Sequence, residues 1–264
     1  MLEMKSKSRR IKKRWVFLFT LILLMAVSLV ILYTPMFNIS FIKVKGNTKY
    51  SQDEIIQASG ILMGENGFKK LRLNVESIFE LRLTDNEKNI ERLPYIKNSR
   101  VSLIFPDGVL IEVQERKPEA YIKYLDNFLI VDKEAFVLEV TDRRPEGDLK
   151  EIRGIEFLKY SIGNQLEDTD TDLVRIAVEI LEAVNESDKN SQLKLSEVLD
   201  WVDMVDKNNA ILSLDNRVMV RFNPMDKLQY TIDFTKEIFF KKLNSKETGR
   251  IVFAEGQNPS FIPE

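Results

Sequence analysis

The feature that most constrains this chain is an unbroken apolar run from Trp15 to Tyr33, WVFLFTLILLMAVSLVILY, in which Thr20 and Ser28 are the most polar residues. At 1.5 Å per residue the run predicts a helix of about 28 Å, close to the hydrocarbon thickness of a bilayer. Trp15 and Tyr33 mark its two ends, where amphipathic rings favour the headgroup region, and Pro35 stops the helix. Residues 1–14 carry Lys5, Lys7, Arg9, Arg10, Lys12, Lys13 and Arg14 against Glu3, a net +6. By the positive-inside rule Arg9, Arg10, Lys12, Lys13 and Arg14 set the topology: residues 1–14 stay in the cytoplasm as a basic tail, 15–36 anchor the chain in membrane lipid, and the rest lies outside. A cleaved signal peptide would have a shorter apolar core and a small-x-small site; here YTPMFN follows a long one.

The whole chain carries −2, so the part after residue 14 carries −8. A mildly acidic body argues against nucleic acid as a partner, since neutralising phosphates needs a basic face. Cysteine and histidine are both absent. The exported body therefore holds together by packing without disulfides, and most zinc sites and every Ser-His or Cys-His pair are excluded. Ser40 to Lys43 and Ser191 to Lys194 match S-x-x-K, but the S-D-N and K-T-G partners of that signature are missing. Asp168-Thr169-Asp170-Thr171-Asp172 alternates like a calcium loop but lacks the Gly its sharp turn needs, Leu173 standing there, and reads as a polar loop feeding a helix N-terminus. No phosphate-binding glycine motif is present. The residues thus predict no catalytic, cofactor or metal site. A carboxylate-pair hydrolase acting on wall glycans is the alternative that residue type alone leaves open.

The exported part reads as α+β, in two domains. In residues 37–119, Ile39, Phe41 and Val44 predict a strand ending at Gly46-Asn47. Ser51 and Glu54 form a capping box, and Gly60 ends the helix it opens. Thr84 and Glu87 predict a second box, with Ile90 and Leu93 as the buried stripe of its helix. Val101, Leu103 and Phe105, then Val109, Ile111 and Val113, alternate as a hairpin closed by Phe105-Pro106-Asp107-Gly108, with Pro at the second turn position, Gly at the fourth and a tight turn expected at Asp107-Gly108. Two helices on one face of a small sheet result. Residues 120–264 are richer in strands. They add a helix over Leu173 to Val184, a meander over 198–222, a helix opened by Asn223-Pro224, and a last short strand at Ile251-Val252-Phe253.

In this order the chain resembles the FtsQ/DivIB family of bacterial cell-division proteins. Phe41-Ile42-Lys43-Val44-Lys45-Gly46-Asn47 is similar to the family's opening strand and turn. Ser51 with Glu54-Ile55, Leu93-Pro94-Tyr95-Ile96, Val101 and Phe105-Pro106 follow in register. Glu115-Arg116-Lys117-Pro118-Glu119-Ala120 resembles its E-R-x-P-x-A junction. Glu134-Ala135 stands where the family has an Asp-x-x-Gly turn, and Asn223-Pro224 where it has a Gly. The resemblance implies a polypeptide-transport-associated (POTRA) domain followed by a β domain, and a scaffold rather than an enzyme. It also implies FtsL-like and DivIC/FtsB-like partners, an association with the septal peptidoglycan synthase complex, and a place at the division septum. The family's partner segment adds a strand late in the second domain. Here that points to an open edge on Arg250, Ile251, Val252, Phe253 and Ala254, with Phe261 counted among the partner-binding residues.

Overall fold

The computed structural model describes residues 3–72, 75–166, 168–253 and 259–264, with the side chains of all but 3–14, 75–76 and 168–170. Helix α1 (Glu3–Leu32) extends the apolar run back through the basic segment. Its stretch Trp15–Leu32 has a mean hydropathy of 2.8, none of it buried in the protein. Among the described residues it is the one helix long and apolar enough to cross a membrane. A short 3-10 turn, Pro35–Phe37, leads out of it. The chain then forms two compact units that meet at Glu115/Arg116.

The first unit contains β1 (Phe41–Lys45), α2 (Gln52–Ser59), a 3-10 turn (Gly67–Lys70), α3 (Val75–Phe79), α4 (Thr84–Ile90), β2 (Ile96–Ile104) and β3 (Gly108–Glu115). Its sheet runs β1-β3-β2, with β1 parallel to β3 and β2 antiparallel to it. The capping box at α2 forms as its sequence predicts. Ser51 Oγ accepts from the Glu54 N–H, and Glu54 returns a carboxylate to the Ser51 N–H at 2.8 Å. Gly60 ends the helix at φ +68°. Ile55, Leu83, Ile90, Val101, Val109 and Ile111 are fully buried between helices and sheet.

One local expectation is corrected, and the glycine at 108 has a cause outside its turn. Thr84 and Glu87 form no capping box: Leu83 precedes α4 without any side-chain cap. Glu87 turns inward instead, accepting the Val101 N–H at 2.9 Å and pairing with Arg82 at 2.8 Å. The outer edge of β2 is paired only in part, by the 81–83 segment through the Arg82–Ser102 bridge and the Leu103 N–H to the Leu81 carbonyl; the Val101 N–H takes Glu87 instead, and burying a carboxylate against that donor outweighs a cap on an exposed turn. Gly108 does not adopt positive φ. What requires glycine is Phe41, whose ring would lie 2.3 Å from an added Cβ. The preceding Phe105–Pro106 bond is cis.

The second unit opens with β4 (Ala120–Tyr124), β5 (Asn127–Val131), β6 (Val137–Thr141) and β7 (Lys150–Arg153), followed by α5 (Asp168–Asp188) and α6 (Leu195–Val198). It continues with β8 (Leu199–Asp206), β9 (Asn209–Leu214), β10 (Val218–Phe222), α7 (Leu228–Glu237), a π turn (Ile238–Lys242), β11 (Gly249–Val252) and β12 (Ser260–Pro263). All nine strands from β4 to β12 join one sheet in the order β12-β11-β10-β9-β8-β7-β4-β5-β6. Alternate residues, such as Ile122, Leu129, Ile152, Val202, Leu212, Val220 and Ile251, bury one face in a core shared with Val174, Ala177, Val178 and Leu181 of α5 and Ile232 of α7. Asp168 to Asp172 form the first turn of α5 itself rather than a loop before it. Asn223-Pro224 opens a turn, not a helix. The Asn223 side chain accepts the Met225 N–H at 2.9 Å, and Lys227 at φ +45° breaks the backbone until α7 starts at Leu228.

The turn Asp132–Ala135 keeps the shape of an Asp-x-x-Gly turn without the glycine. Asp132 Oδ1 accepts the N–H groups of Glu134 and Phe136 at 2.9 and 2.8 Å, and Ala135 takes the left-handed position at φ +62°.

Candidate partner-binding edge

The segment expected to carry an open strand edge is enclosed. β11 lies between two neighbours: β10, parallel, with Val252 opposite Arg221, and β12, antiparallel, with Val252 opposite Ser260. Arg250 projects from the exposed face and pairs with Glu264 at 2.8 Å. Ile251 is fully buried, and the Phe253 N–H continues the ladder to the Arg221 carbonyl at 3.1 Å. Phe261 sits opposite Ile251 and packs against the core, so Arg250, Ile251, Val252, Phe253 and Phe261 are brought together. Ala254 lies outside the described residues. The correction has a simple cause. The alternation of Ile251 to Phe253 reads as a final strand, but a further strand follows a gap and covers its free side.

The edge is therefore β12. The Glu264 N–H donates to the Thr248 carbonyl at 2.9 Å, one pair beyond the register that sets Gly249 opposite Pro263. Antiparallel ladders alternate in facing. Ile262 and Ser260 thus turn their peptide groups toward β11, and Phe261 turns its own toward the free side. Pro263 contributes a carbonyl there but no donor. Within Ser260–Pro263 the outward edge has one N–H, that of Phe261. No strand among the described residues pairs with this side. The opposite border of the sheet is covered: the Val137 N–H donates to the Asn164 carbonyl at 3.0 Å, and the Gly163 N–H to the Val137 carbonyl at 2.8 Å. Ile262, on the exposed face, lies beside Arg250. The signal in sequence was the short Ser260-Phe261-Ile262 alternation closed by proline, a pattern suited to an edge strand.

The junction residues prove to be structural. Glu115 accepts the Thr48, Lys49 and Tyr50 N–H groups at 2.9, 2.7 and 3.2 Å and the Thr48 hydroxyl. Burial alone would raise its pKa, but these hydrogen bonds outweigh burial and hold the carboxyl below the ordinary range. Arg116 packs 3.5 Å from the centre of the Phe136 ring and pairs with Asp132 at 2.7 Å and Glu134 at 2.8 Å. Of the two S-x-x-K serines, Ser40 donates to Asp107 and Ser191 accepts the Leu193 N–H. Trp15 and Tyr33 are exposed at the ends of the apolar stretch. Arg9, Arg10, Lys12, Lys13 and Arg14 lie on the same helix.

An N-terminal helix long and apolar enough to cross a membrane, a three-stranded sheet with α2 and α4 packed on it, and a nine-stranded sheet with flanking helices define a membrane-anchored POTRA protein. Residues 37–116 match the family model described as POTRA domain, FtsQ-type. The chain is similar over its length to the FtsQ/DivIB family of cell-division proteins. It is 28% identical to a cell division protein DivIB of Clostridium botulinum, over the whole chain and 95% of that relative. Identity to cell division protein DivIB of Clostridium acetobutylicum is 31%, over 62% of this chain and 60% of the relative. Cell division protein FtsQ of Corynebacterium glutamicum is 29% identical over 39% of this chain and 41% of its own length. These relatives support a role in cell division.

Proposed function

We propose that this protein is a non-enzymatic scaffold of the division machinery. It is held by α1 with residues 1–14 in the cytoplasm and both folded units outside. It binds FtsL-like and DivIC/FtsB-like bitopic partners and links them to the septal peptidoglycan synthase complex at the division site. The observation that carries this reading is the unpaired edge of β12 beside the enclosed β11. An incoming extended segment would bond to the Phe261 N–H and carbonyl and the Pro263 carbonyl. Its side chains would meet Ile262 and Arg250 on the exposed face.

The test is capture of a DivIC-like partner by the full chain in detergent. Ile262→Asp keeps the backbone ladder but puts a charge on the contact face, and binding should weaken by about tenfold, or ~1.4 kcal/mol. Truncation before Ser260 should abolish capture. Wild-type capture by both variants, each shown to be folded by circular dichroism, would refute the edge as the binding site.

A further inference from the structure

One end of the first unit is continuous with the end of the anchor helix. The buried Asn66 donates its side-chain amide to the carbonyls of Leu32 at 3.2 Å and Thr34 at 3.0 Å, which satisfies acceptors left over where the helix stops. The segment carrying Asn66 is pinned in turn to the stretch between the Pro35–Phe37 turn and β1. The Ile39 N–H donates to the Glu65 carbonyl and the Gly64 N–H to the Ile39 carbonyl, each at 2.8 Å.

Apolar side chains gather at this end. Phe37 meets Phe68 edge to face at 5.2 Å between ring centres and Phe105 at 6.1 Å, while Phe68 and Phe105 are 5.7 Å apart. Phe37 is buried under the other two. Around this cluster, large apolar residues stand out into solvent: Met36 is 64% exposed, Leu62 60%, Met63 57% and Phe105 55%. They come from three separate segments, and a water-facing surface seldom collects such residues unless something covers them.

We propose that this end of the first unit dips into the headgroup region of the leaflet in which α1 ends, with Phe105, Met36, Leu62 and Met63 in contact with lipid. The occupant follows from continuity with the span. Met36 and Phe37 lie just past its last turn, and Asn66 ties the 62–68 segment to the helix end. Those residues therefore stand at the depth where aromatic and amphipathic side chains partition favourably. The exposed Lys69, next to Phe68, adds a positive charge suited to lipid phosphates. The helix and the domain then act as one two-point membrane contact, which fixes the tilt of the first unit above the bilayer. The proposal is independent of the partner reading.

Because the chain has no cysteine, single nitroxide labels can be placed without background. Three full-length variants, Phe105→Cys, Met63→Cys and Gln114→Cys, are labelled and reconstituted into phosphatidylethanolamine/phosphatidylglycerol vesicles. Gln114 is exposed near the far end of β3, about 20 Å along the strand from Gly108. The ratio of oxygen to nickel-chelate collisions is then measured at each label. It should be several-fold higher at 63 and 105 than at 114. Equal, water-like ratios at all three would overturn the proposal. So would spin–spin broadening between copies at 63 and 105, which would assign the face to self-association. If Phe105→Cys fails to fold by circular dichroism, Leu62→Cys takes its place, since Leu62 lies outside the aromatic cluster.

Discussion

Lys236 Nζ lies 2.8 Å from Asp188 Oδ1, and both side chains are almost wholly withdrawn from solvent. The contact joins α7 to the end of α5. It does not stand alone: Asp188 also accepts the Leu195 and Ser196 N–H groups at 2.9 and 2.8 Å, and Lys236 donates to the Ser187 carbonyl at 2.7 Å. A buried charge satisfied on every side costs little to keep, but removing one partner strands the other. Lys236→Met should therefore destabilise the protein by about 3–5 kcal/mol in denaturant unfolding. A loss below about 1 kcal/mol would place the pair at the solvated surface, where ion pairs contribute that little.

The same carboxylate sets a pH dependence. Burial alone would raise Asp188, but the Lys236 ammonium and the Ser196 and Leu195 amides outweigh burial and hold it below the ordinary aspartate range. Glu115 is depressed in the same sense by its Thr48, Lys49 and Tyr50 donors. For a depressed carboxyl, the stabilisation is complete above the unfolded-state value and disappears as pH falls through the folded-state value. Stability should therefore be flat from neutral pH down to about 5 and fall below about 4. Melting temperatures across that range check this, and Asp188→Asn should flatten part of the acid limb.

At Glu87 the local and tertiary readings make opposite predictions. If Thr84 capped α4, Thr84→Ala would cost about 1 kcal/mol. With Glu87 buried against Arg82 and the Val101 N–H, Thr84→Ala should be nearly neutral. Glu87→Ala should instead cost about 1–3 kcal/mol by leaving buried groups unpaired. Thermal unfolding of the two variants side by side decides between them.

A related test separates a steric from a conformational need for Gly108. With the Phe41 ring 2.3 Å from an added Cβ, Gly108→Ala should cost about 1–3 kcal/mol through overpacking. Pairing it with Phe41→Ala should remove that penalty, so the double variant is no less stable than Phe41→Ala alone. Undiminished cost in the double variant would point to backbone strain.

Much of this architecture was legible because its signals are local. The span, the Ser51–Glu54 box, the 101–113 hairpin and the amphipathic stripe of α5 each depend on neighbours in sequence. What was not legible depends on distant groups. Glu87 answers to Val101 and Gly108 to Phe41, and no spacing rule encodes either contact. The edge shows the same limit. Arg250 to Val252 carry the stronger strand pattern, yet whether a strand is an edge is decided by what pairs with its other side. That partner, Ser260–Pro263, is only four residues long. The place of Phe261 on the outer strand, opposite Ile251, was not legible either.

The most direct test of the scaffold account is amide hydrogen exchange at adjacent residues of β12, in the full chain with and without a DivIC-like partner. The Ile262 N–H faces β11 and should be protected in both states, while the Phe261 N–H faces outward and should exchange freely until a partner strand accepts it. Binding should slow exchange at Phe261 by at least about tenfold and leave Ile262 little changed. A partner shown to be bound while Phe261 still exchanges at its free rate would contradict strand addition at this edge.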